Sequence, residues 1–172
     1  MLRTIVLCAL IAFVKAQTTS VDKCVINEGD LPINQHVEGC STPPCLLPQL
    51  QDVVINVVFR APRTSRSMRT LATASVNFGI TIEIEYDLGA NAVTCNFLTN
   101  TYCPVLKDEV IQYTLKMYIE PLFMVGTAAT VEFRVVDETN EPLWCLRIPI
   151  RIVPAVTNPV NEIEQNTTRL TP

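Results

Sequence analysis

Apolar and polar residues alternate along most of this chain, and the alternation comes in short runs. In one of them Val53, Ile55, Val57 and Phe59 are separated by residues that include Asn56. A period of two places successive side chains on opposite faces of a strand, and the many β-branched residues also favour strands over helices. We therefore predict six or seven short strands in a two-sheet antiparallel sandwich. The clearest runs cover residues 53–60, 72–78, 80–86, 111–120, 131–135 and 146–152.

The breaks between these runs carry turn-forming residues. Polar segments at 64–67 and 137–140 predict turns, and Pro121 ends the run before it. Pro149 lies inside a run, where its missing N–H cannot join a strand ladder, so this strand is expected at a sheet edge or at a bulge.

The N-terminal segment resembles a secretory signal peptide. Arg3 precedes the apolar run 5–14, and Val14-Lys15-Ala16 resembles a signal peptidase site, so we expect residues 1–16 to be removed. The run is about ten residues long, roughly half of the ~20 that cross a bilayer. Residues 17–155 would then form one domain, followed by a polar tail at 156–172 that is predicted to be disordered. Cys8 leaves with the signal, and six cysteines remain, as an oxidising compartment favours: Cys24, Cys40, Cys45, Cys95, Cys103 and Cys145.

Net charge argues against nucleic acid as a partner. The full chain has a formal charge of −4, and loss of Arg3 and Lys15 reduces Lys plus Arg from 13 to 11 against 17 acidic residues, a net charge of −6. An acidic chain repels phosphate at long range. The best basic cluster lies at positions 60, 63, 66 and 69, and a solvated loop with its flanking strand ends explains those arginines better than a binding patch.

Catalytic and metal-binding patterns are missing from the sequence. His36 is the only histidine, no Cys-x-x-Cys pair occurs, and there is no nucleophile elbow or phosphate-binding loop. Glu83 and Glu85 are a candidate acid–base pair, but alternation makes them neighbours on the outer face of one strand, where solvated carboxylates are common. We expect neither an enzyme nor a bound metal or cofactor.

The cysteine pattern and two short motifs together resemble a known family. The matching features are Cys24, Cys40-Ser-Thr-Pro-Pro-Cys45, Cys95 with Cys103-Pro104, and the segment 143–150, which reads LWCLRIPI. The chain is similar to the ML lipid-recognition domain over about residues 22 to 154. Within that family it most resembles the Niemann-Pick type C2 branch and its arthropod relatives, which include the mite group 2 allergens.

The resemblance implies an immunoglobulin-like β-sandwich with an internal hydrophobic cavity for lipid and three disulfides: Cys24–Cys145, Cys40–Cys45 and Cys95–Cys103. Spacing alone leaves fifteen pairings open. The four-residue loop between Cys40 and Cys45 suits a local bridge. A bridge from Cys24 to Cys145 would tie the two ends of the domain together, with a gain of ~5 kcal/mol in the chain-entropy model.

The resemblance also implies a ligand site between the sheets, although any sandwich core would require most of the same aliphatic residues. Aromatic residues are scarce in the runs, which favours a space that the side chains do not fill. Ile119 and Phe123 flank Pro121 and are expected at the entrance, as are Ile82 and Ile84 after Gly79. The predicted cavity and entrance residues are Ile55, Val57, Phe59, Val76, Phe78, Ile82, Ile84, Tyr113, Leu115, Met117, Ile119, Phe123, Phe133 and Leu146.

These features predict a secreted, monomeric carrier that binds a sterol, a fatty acid or a similar lipid and transfers it to a membrane or receptor. The alternative is a recognition module of innate immunity that presents lipid to a receptor. Acidic residues at the expected rim, Glu83, Glu85 and Glu120, favour the carrier, because phosphorylated lipid heads need cations. An extracellular location is expected, with the lysosomal lumen as the other compartment considered. The sequon at Asn166 predicts a glycan.

Overall fold

The computed structural model describes residues 17–156, which form two β-sheets and no α-helix. The predicted signal, most of the predicted tail and Asn166 lie outside the described residues. Two short 3₁₀ helices, Gly89–Ala92 and Thr94–Phe97, follow the fifth strand. The strands are β1 Asn34–Val37, β2 Cys45–Pro48, β3 Asp52–Arg60, β4 Met68–Asn77, β5 Thr81–Tyr86, β6 Val110–Tyr118, β7 Ala128–Asp137 and β8 Pro142–Val153. None of the described helices is long and apolar enough to cross a membrane.

The two sheets confirm the predicted sandwich. One sheet has three strands in the order β1-β3-β6, and the other has five in the order β2-β8-β7-β4-β5. All six predicted runs are strands. β1 and β2 were missed because four residues are too few to show a period. The antiparallel prediction is wrong at one pairing, since β2 runs parallel to β8.

Alternation along β3 and β6 builds the centre of the core. Ile55 lies opposite Leu115, Val57 opposite Tyr113, and all four side chains are buried. Trp144 of β8 fills the space behind them, with its ring centroid 6.4 Å from that of Tyr113. The strand period therefore fixes which side chains enter the core.

Pro149 lies between an isolated bridge at Arg147 and the start of β2, where only β7 pairs with β8. The N–H groups of Cys145 and Arg147 point away from β7, to the carbonyls of Asp30 and Asp22 at 2.9 Å. Alternation puts the nitrogen of Pro149 on that same side, and β2 begins only opposite Ile150. β8 is an interior strand, so the expectation of an edge strand is wrong; the proline is tolerated because the pairing with β2 starts one residue later.

The disulfides have the pairing that the resemblance implies, Cys24–Cys145, Cys40–Cys45 and Cys95–Cys103. The first of them ties the N-terminal segment to β8 across 121 residues. Gly29 fits beside this bridge because it has no side chain: a Cβ there would lie 2.8 Å from that of Cys145. Close approach of two backbones is a common reason for a glycine.

A buried carboxylate holds the same N-terminal segment against β7. Glu132 accepts hydrogen bonds from the backbone N–H groups of Val25 at 2.7 Å, Ile26 at 3.1 Å and Asn27 at 3.0 Å, and from the side-chain amide of Asn27 at 2.9 Å. Burial by itself raises the pKa of Glu132, but these donors outweigh it and hold the pKa below its usual range. The carboxylate therefore replaces strand neighbours for residues 25–27.

Candidate functional site

A cavity of about 220 Å³ lies between the inner face of the five-stranded sheet and the segment that follows β6. Its walls are apolar except for the hydroxyl groups of one threonine and one tyrosine. Four strands, β4, β5, β7 and β8, provide one side, while the end of β6 and residues 119–127 provide the other. The lining residues are Ala74, Val76, Phe78, Ile84, Tyr86, Met117, Ile119, Leu122, Phe123, Met124, Thr127, Ala129, Val131, Ile150 and Ile152.

The cavity exists because the covering layer is narrower than the sheet below it. Three strands cover five, and β5 pairs only with β4. Two of the inward-facing residues beneath the open region, Ala74 and Ala129, are small. Side chains that reach a few carbons further would fill this space, so the volume depends on these alanines as well as on the sheet widths.

The segment 119–127 that closes the cavity is anchored at both ends. At its start the N–H of Ile119 donates to the carbonyl of Gln51 at 3.0 Å. At its end the N–H of Gly126 donates to the carbonyl of Ile152 at 2.9 Å, in a left-handed turn that favours glycine. Between them the side-chain amide of Gln49 donates to the carbonyls of Pro121 and Phe123. The middle of the segment is thus held over the sheet by a side chain from outside it.

Two aromatic rings meet at the mouth of the cavity. The ring centroids of Tyr86 and Phe123 are 5.7 Å apart, and the planes are tilted by 53°. The hydroxyl of Tyr86 donates to the carbonyl of Tyr118 at 3.0 Å. Burial, followed by the nearby carboxylates of Glu120 and Asp87, raises the pKa of this tyrosine. The hydroxyl therefore stays protonated, and the donated bond persists at physiological pH.

Exposed apolar side chains surround this mouth. Leu122 is 73% exposed and Met124 68%, and Phe78 and Ile84 on the opposite side are also exposed. A contiguous apolar rim of this kind marks a surface for hydrophobic contacts. No lysine or arginine is among the described residues that line the cavity.

The structure places six of the fourteen predicted residues on the cavity wall: Val76, Phe78, Ile84, Met117, Ile119 and Phe123. Their part in ligand binding stays a prediction. Ile119, expected at the entrance, is only 1% exposed and lies on the inner wall. Its backbone N–H donates to the carbonyl of Gln51, so the backbone at the start of the segment 119–127 continues the direction of β6.

The other eight predicted residues lie away from the cavity. Ile55 and Phe133 border a gap of only about 10 Å³ between the sheets, and Ile82 is exposed on β5. The remaining five, which are buried in the core, are Val57, Phe59, Tyr113, Leu115 and Leu146. Ile82 was included because the family resemblance placed it at the entrance. The other seven were included because alternation identifies a face of a strand and cannot tell a packed stretch of that face from an open one.

Tyr113 shows why a residue on the predicted face can have a purely structural environment. Its hydroxyl is 2.6 Å from that of Thr70, which in turn is 2.7 Å from that of Thr94. Burial raises the pKa of Tyr113 to about 12, although the hydrogen bonds to Thr70 and Thr94 partly oppose this. Its polar atom is therefore satisfied within the protein and is not available to a ligand.

Nine cavity residues were missing from the sequence prediction. Most carried a usable signal: Ala74 and Ala129 share the parity of their inward-facing neighbours, and Leu122 and Met124 belong to an apolar loop. The full set is Ala74, Tyr86, Leu122, Met124, Thr127, Ala129, Val131, Ile150 and Ile152. Small residues were overlooked because they bury little area, although they leave the space in which a ligand fits.

Comparison with known proteins identifies similar chains. The model of the ML domain matches residues 18–152. The NPC intracellular cholesterol transporter 2 of Mus musculus is 26% identical over 149 residues, which cover 87% of this chain and 95% of the relative. The protein of the same name from Bos taurus is 26% identical over 117 residues, 68% of this chain and 74% of the relative. A solved Niemann-Pick type C2 protein from Japanese carpenter ant has a TM-score of 0.63 at 16% identity, covering 77% of this chain and 98% of the other.

Proposed function

The chain belongs to the ML domain family, and on that premise we propose that it is a secreted carrier that holds a lipid between its two sheets. The ligand class is a hydrophobic small molecule, either a fatty acid or a sterol. The relatives named as cholesterol transporters support this class. Three disulfides support a secreted or lumenal location, because such bridges persist in oxidising compartments.

The observation that carries the proposal is the apolar cavity with its apolar rim. Only the hydroxyl groups of Thr127 and Tyr86 interrupt the hydrocarbon lining, and that of Tyr86 already donates to Tyr118. Each methylene of a ligand that leaves water for this wall contributes about 0.8 kcal/mol. A hydrocarbon ligand therefore gains affinity in proportion to the length that enters.

The size of the cavity favours an extended alkyl chain over a rigid ring system. Its volume of about 220 Å³ is smaller than the ~300–1,000 Å³ usual for pockets that enclose a drug-sized ligand. An alkyl chain enters by the mouth and leaves its polar end in water. A sterol requires the rings of Tyr86 and Phe123 to separate, since they lie in contact across the entrance.

Charge at the mouth favours a carrier over a lipid-presenting recognition module. The acidic residue Glu120 lies next to Tyr86, and the outer side of β5 carries Glu83 and Glu85. Phosphorylated lipid heads are bound by cations, and the described cavity wall has none. A neutral or weakly acidic rim suits uptake and release of a lipid whose head remains in solvent.

The first experiment identifies the natural ligand. Organic extraction of protein purified from a eukaryotic secretion host, followed by mass spectrometry, should recover a fatty acid or sterol. Uptake of a fluorescent fatty acid and a fluorescent sterol should then be measured on protein stripped of lipid. We expect saturable binding of the fatty acid, with slower uptake of the sterol.

Two exposed leucines provide a matched test of the entrance. Leu122→Asp puts a charge on the cavity rim, whereas Leu46→Asp changes a leucine that is 61% exposed on β2, away from the cavity. The first change should weaken fatty acid uptake at least severalfold, and the second should leave it unaltered. Recovery of no lipid, together with no saturable uptake of either probe, would overturn the proposal.

A further inference from the structure

A second concave surface lies on the face of the five-stranded sheet opposite the cavity. Ala72 and Ala74 of β4 face inward, so Arg69, Leu71 and Thr73 face outward. Beside them, residues 87–92 leave the sheet after β5 and form the wall of a crevice of about 310 Å³. We call it the outer crevice; it is defined by Arg69, Thr70, Leu71, Ala72, Thr73, Glu85, Tyr86, Asp87, Leu88, Ala92 and Arg134.

Strand register separates the charges of the outer crevice by sign. Leu71, which is half-buried, lies at the floor, and Arg134 of β7 is its direct partner. On the other side of β4, Glu85 is the partner of Thr73, and Asp87 follows two residues later. Arg134 and the acidic wall are thus two strand spacings apart, roughly 10 Å, with an apolar floor between them.

The arginines of the outer crevice have no anionic partner among the described residues. The ion pair found within residues 17–156 joins Arg63 to Asp137, which both lie outside the crevice. Nε of Arg134 is buried and donates to no hydrogen-bond acceptor within residues 17–156. A buried donor without a partner costs about 1–3 kcal/mol, and an arginine offers a planar fork that fits an oxyanion. Since Nε itself is shielded from solvent, a ligand in the crevice would meet the other nitrogens of the Arg134 guanidinium.

We propose that the outer crevice binds a small zwitterion, with its oxyanion on Arg134 and Arg69 and its ammonium group on Asp87 and Glu85. A short carbon linker would lie over Leu71. The acidic wall disfavours a simple anion such as phosphate, and the arginines disfavour a simple amine. This chemistry occurs in free phosphorylethanolamine and in the head of a zwitterionic phospholipid. The site lies on the sheet face opposite the lipid cavity, and Tyr86 borders both.

Isothermal titration calorimetry with phosphorylethanolamine tests the proposal directly. We expect a dissociation constant on the order of 1 mM or tighter, with inorganic phosphate and ethanolamine each binding at least about tenfold more weakly. Arg134→Gln and Asp87→Asn should each weaken phosphorylethanolamine binding by about tenfold or more. Arg151→Gln, an exposed arginine of β8 outside the crevice, is the matched control and should have no effect.

Folding and ligand source are separated by two further measurements. Fatty acid uptake by the inner cavity should be unchanged in Arg134→Gln, which shows that this variant is folded. Asp87→Asn alters an exposed side chain, so this second variant still tests the proposal if Arg134→Gln misfolds. If the protein sediments with phosphatidylethanolamine vesicles and free phosphorylethanolamine reverses this, the ligand is the lipid head. If only free phosphorylethanolamine binds, the ligand is a soluble molecule. Absence of heat at about 10 mM probe, equal binding of phosphate, or unchanged affinity in Asp87→Asn would each overturn the proposal.

Discussion

Filling the inner cavity with a side chain should stabilise the ligand-free protein and prevent ligand uptake. Ala74 is the suitable position, because it lies on the cavity wall in β4 between Ile84 of β5 and Val131 of β7. In Ala74→Leu the added branch points into the space that a lipid is proposed to occupy. The same change would be harmful if that space were already filled.

The magnitude follows from the carbons added. Leucine brings three more carbons than alanine, and at about 0.8 kcal/mol each their burial gives an upper bound of about 2.4 kcal/mol. Loss of side-chain freedom removes about 0.5–1 kcal/mol. The cavity of about 220 Å³ accepts these atoms without displacing its walls, since it is more than tenfold larger than the ~10–15 Å³ that admits one water. We expect a net gain of about 1–2 kcal/mol in unfolding free energy.

Ala72 is the matched control, two residues earlier on the same face of β4. It is 3% exposed, lies opposite Phe133 and does not border the cavity. Ala72→Leu forces the same three carbons into a filled region and should cost about 1–3 kcal/mol. Chemical denaturation followed by fluorescence of Trp144, the single tryptophan, measures both effects.

Ligand uptake completes the test. Fluorescent fatty acid binding should fall at least about tenfold in Ala74→Leu and remain near the wild-type value in folded Ala72→Leu, since tenfold corresponds to about 1.4 kcal/mol of lost contact. Destabilisation of Ala74→Leu with normal uptake would show that the space closes in solution and that the ligand binds elsewhere. Stabilisation with normal uptake would also refute the assigned site.

Three further predictions concern the core and its charges. Phe133→Ala should destabilise the protein by about 3–5 kcal/mol, because this ring is 2% exposed between the sheets. Phe123→Ala at the mouth should cost about 1 kcal/mol or less and should weaken lipid uptake severalfold. Denaturation and lipid binding measured on both variants check this prediction. Burial raises the pKa of Asp137, but hydrogen bonds from Thr139 and Arg63 and from backbone N–H groups lower it to about 2. The contribution of this carboxylate to folding stability is therefore complete above the unfolded pKa of ~3.9 and is lost as pH falls towards 2. Asp137→Asn should be less stable at neutral pH, and its melting temperature should fall less steeply with acid than that of the wild type; an unchanged slope would contradict this. Glu132→Gln places an amide N–H against the donors of Asn27 and should cost about 2 kcal/mol in urea denaturation, while a loss below about 0.5 kcal/mol would show that the four hydrogen bonds contribute little.

The strands were predictable because the signal that defines them is local. In β3 and β6, inward residues such as Ile55 and Leu115 alternate with outward ones, and the period survives in the structure. β1 and β2 were not predictable, since each has four residues and depends on a partner far along the chain. β2 pairs with β8, about a hundred residues later, in a parallel register that no local pattern indicates.

The cavity was predictable only in part, because burial of a strand face depends on what lies across from it. Ile84 alternates with glutamates even more regularly than Ile55, whose neighbours are Val54 and Asn56, yet Ile84 is 51% exposed and Ile55 is 2% exposed. The difference follows the widths of the sheets: β3 is the central strand of the three-stranded layer, whereas β5 is the edge strand of the five-stranded sheet. An alternating run of isoleucines therefore indicates a ligand entrance only if its strand lies at the edge of the wider sheet. The sequence pattern alone does not give the widths of the two sheets. This same mismatch of three strands over five leaves Ala74 and Ala129 with open space beside them, so the entrance and the cavity have one structural cause.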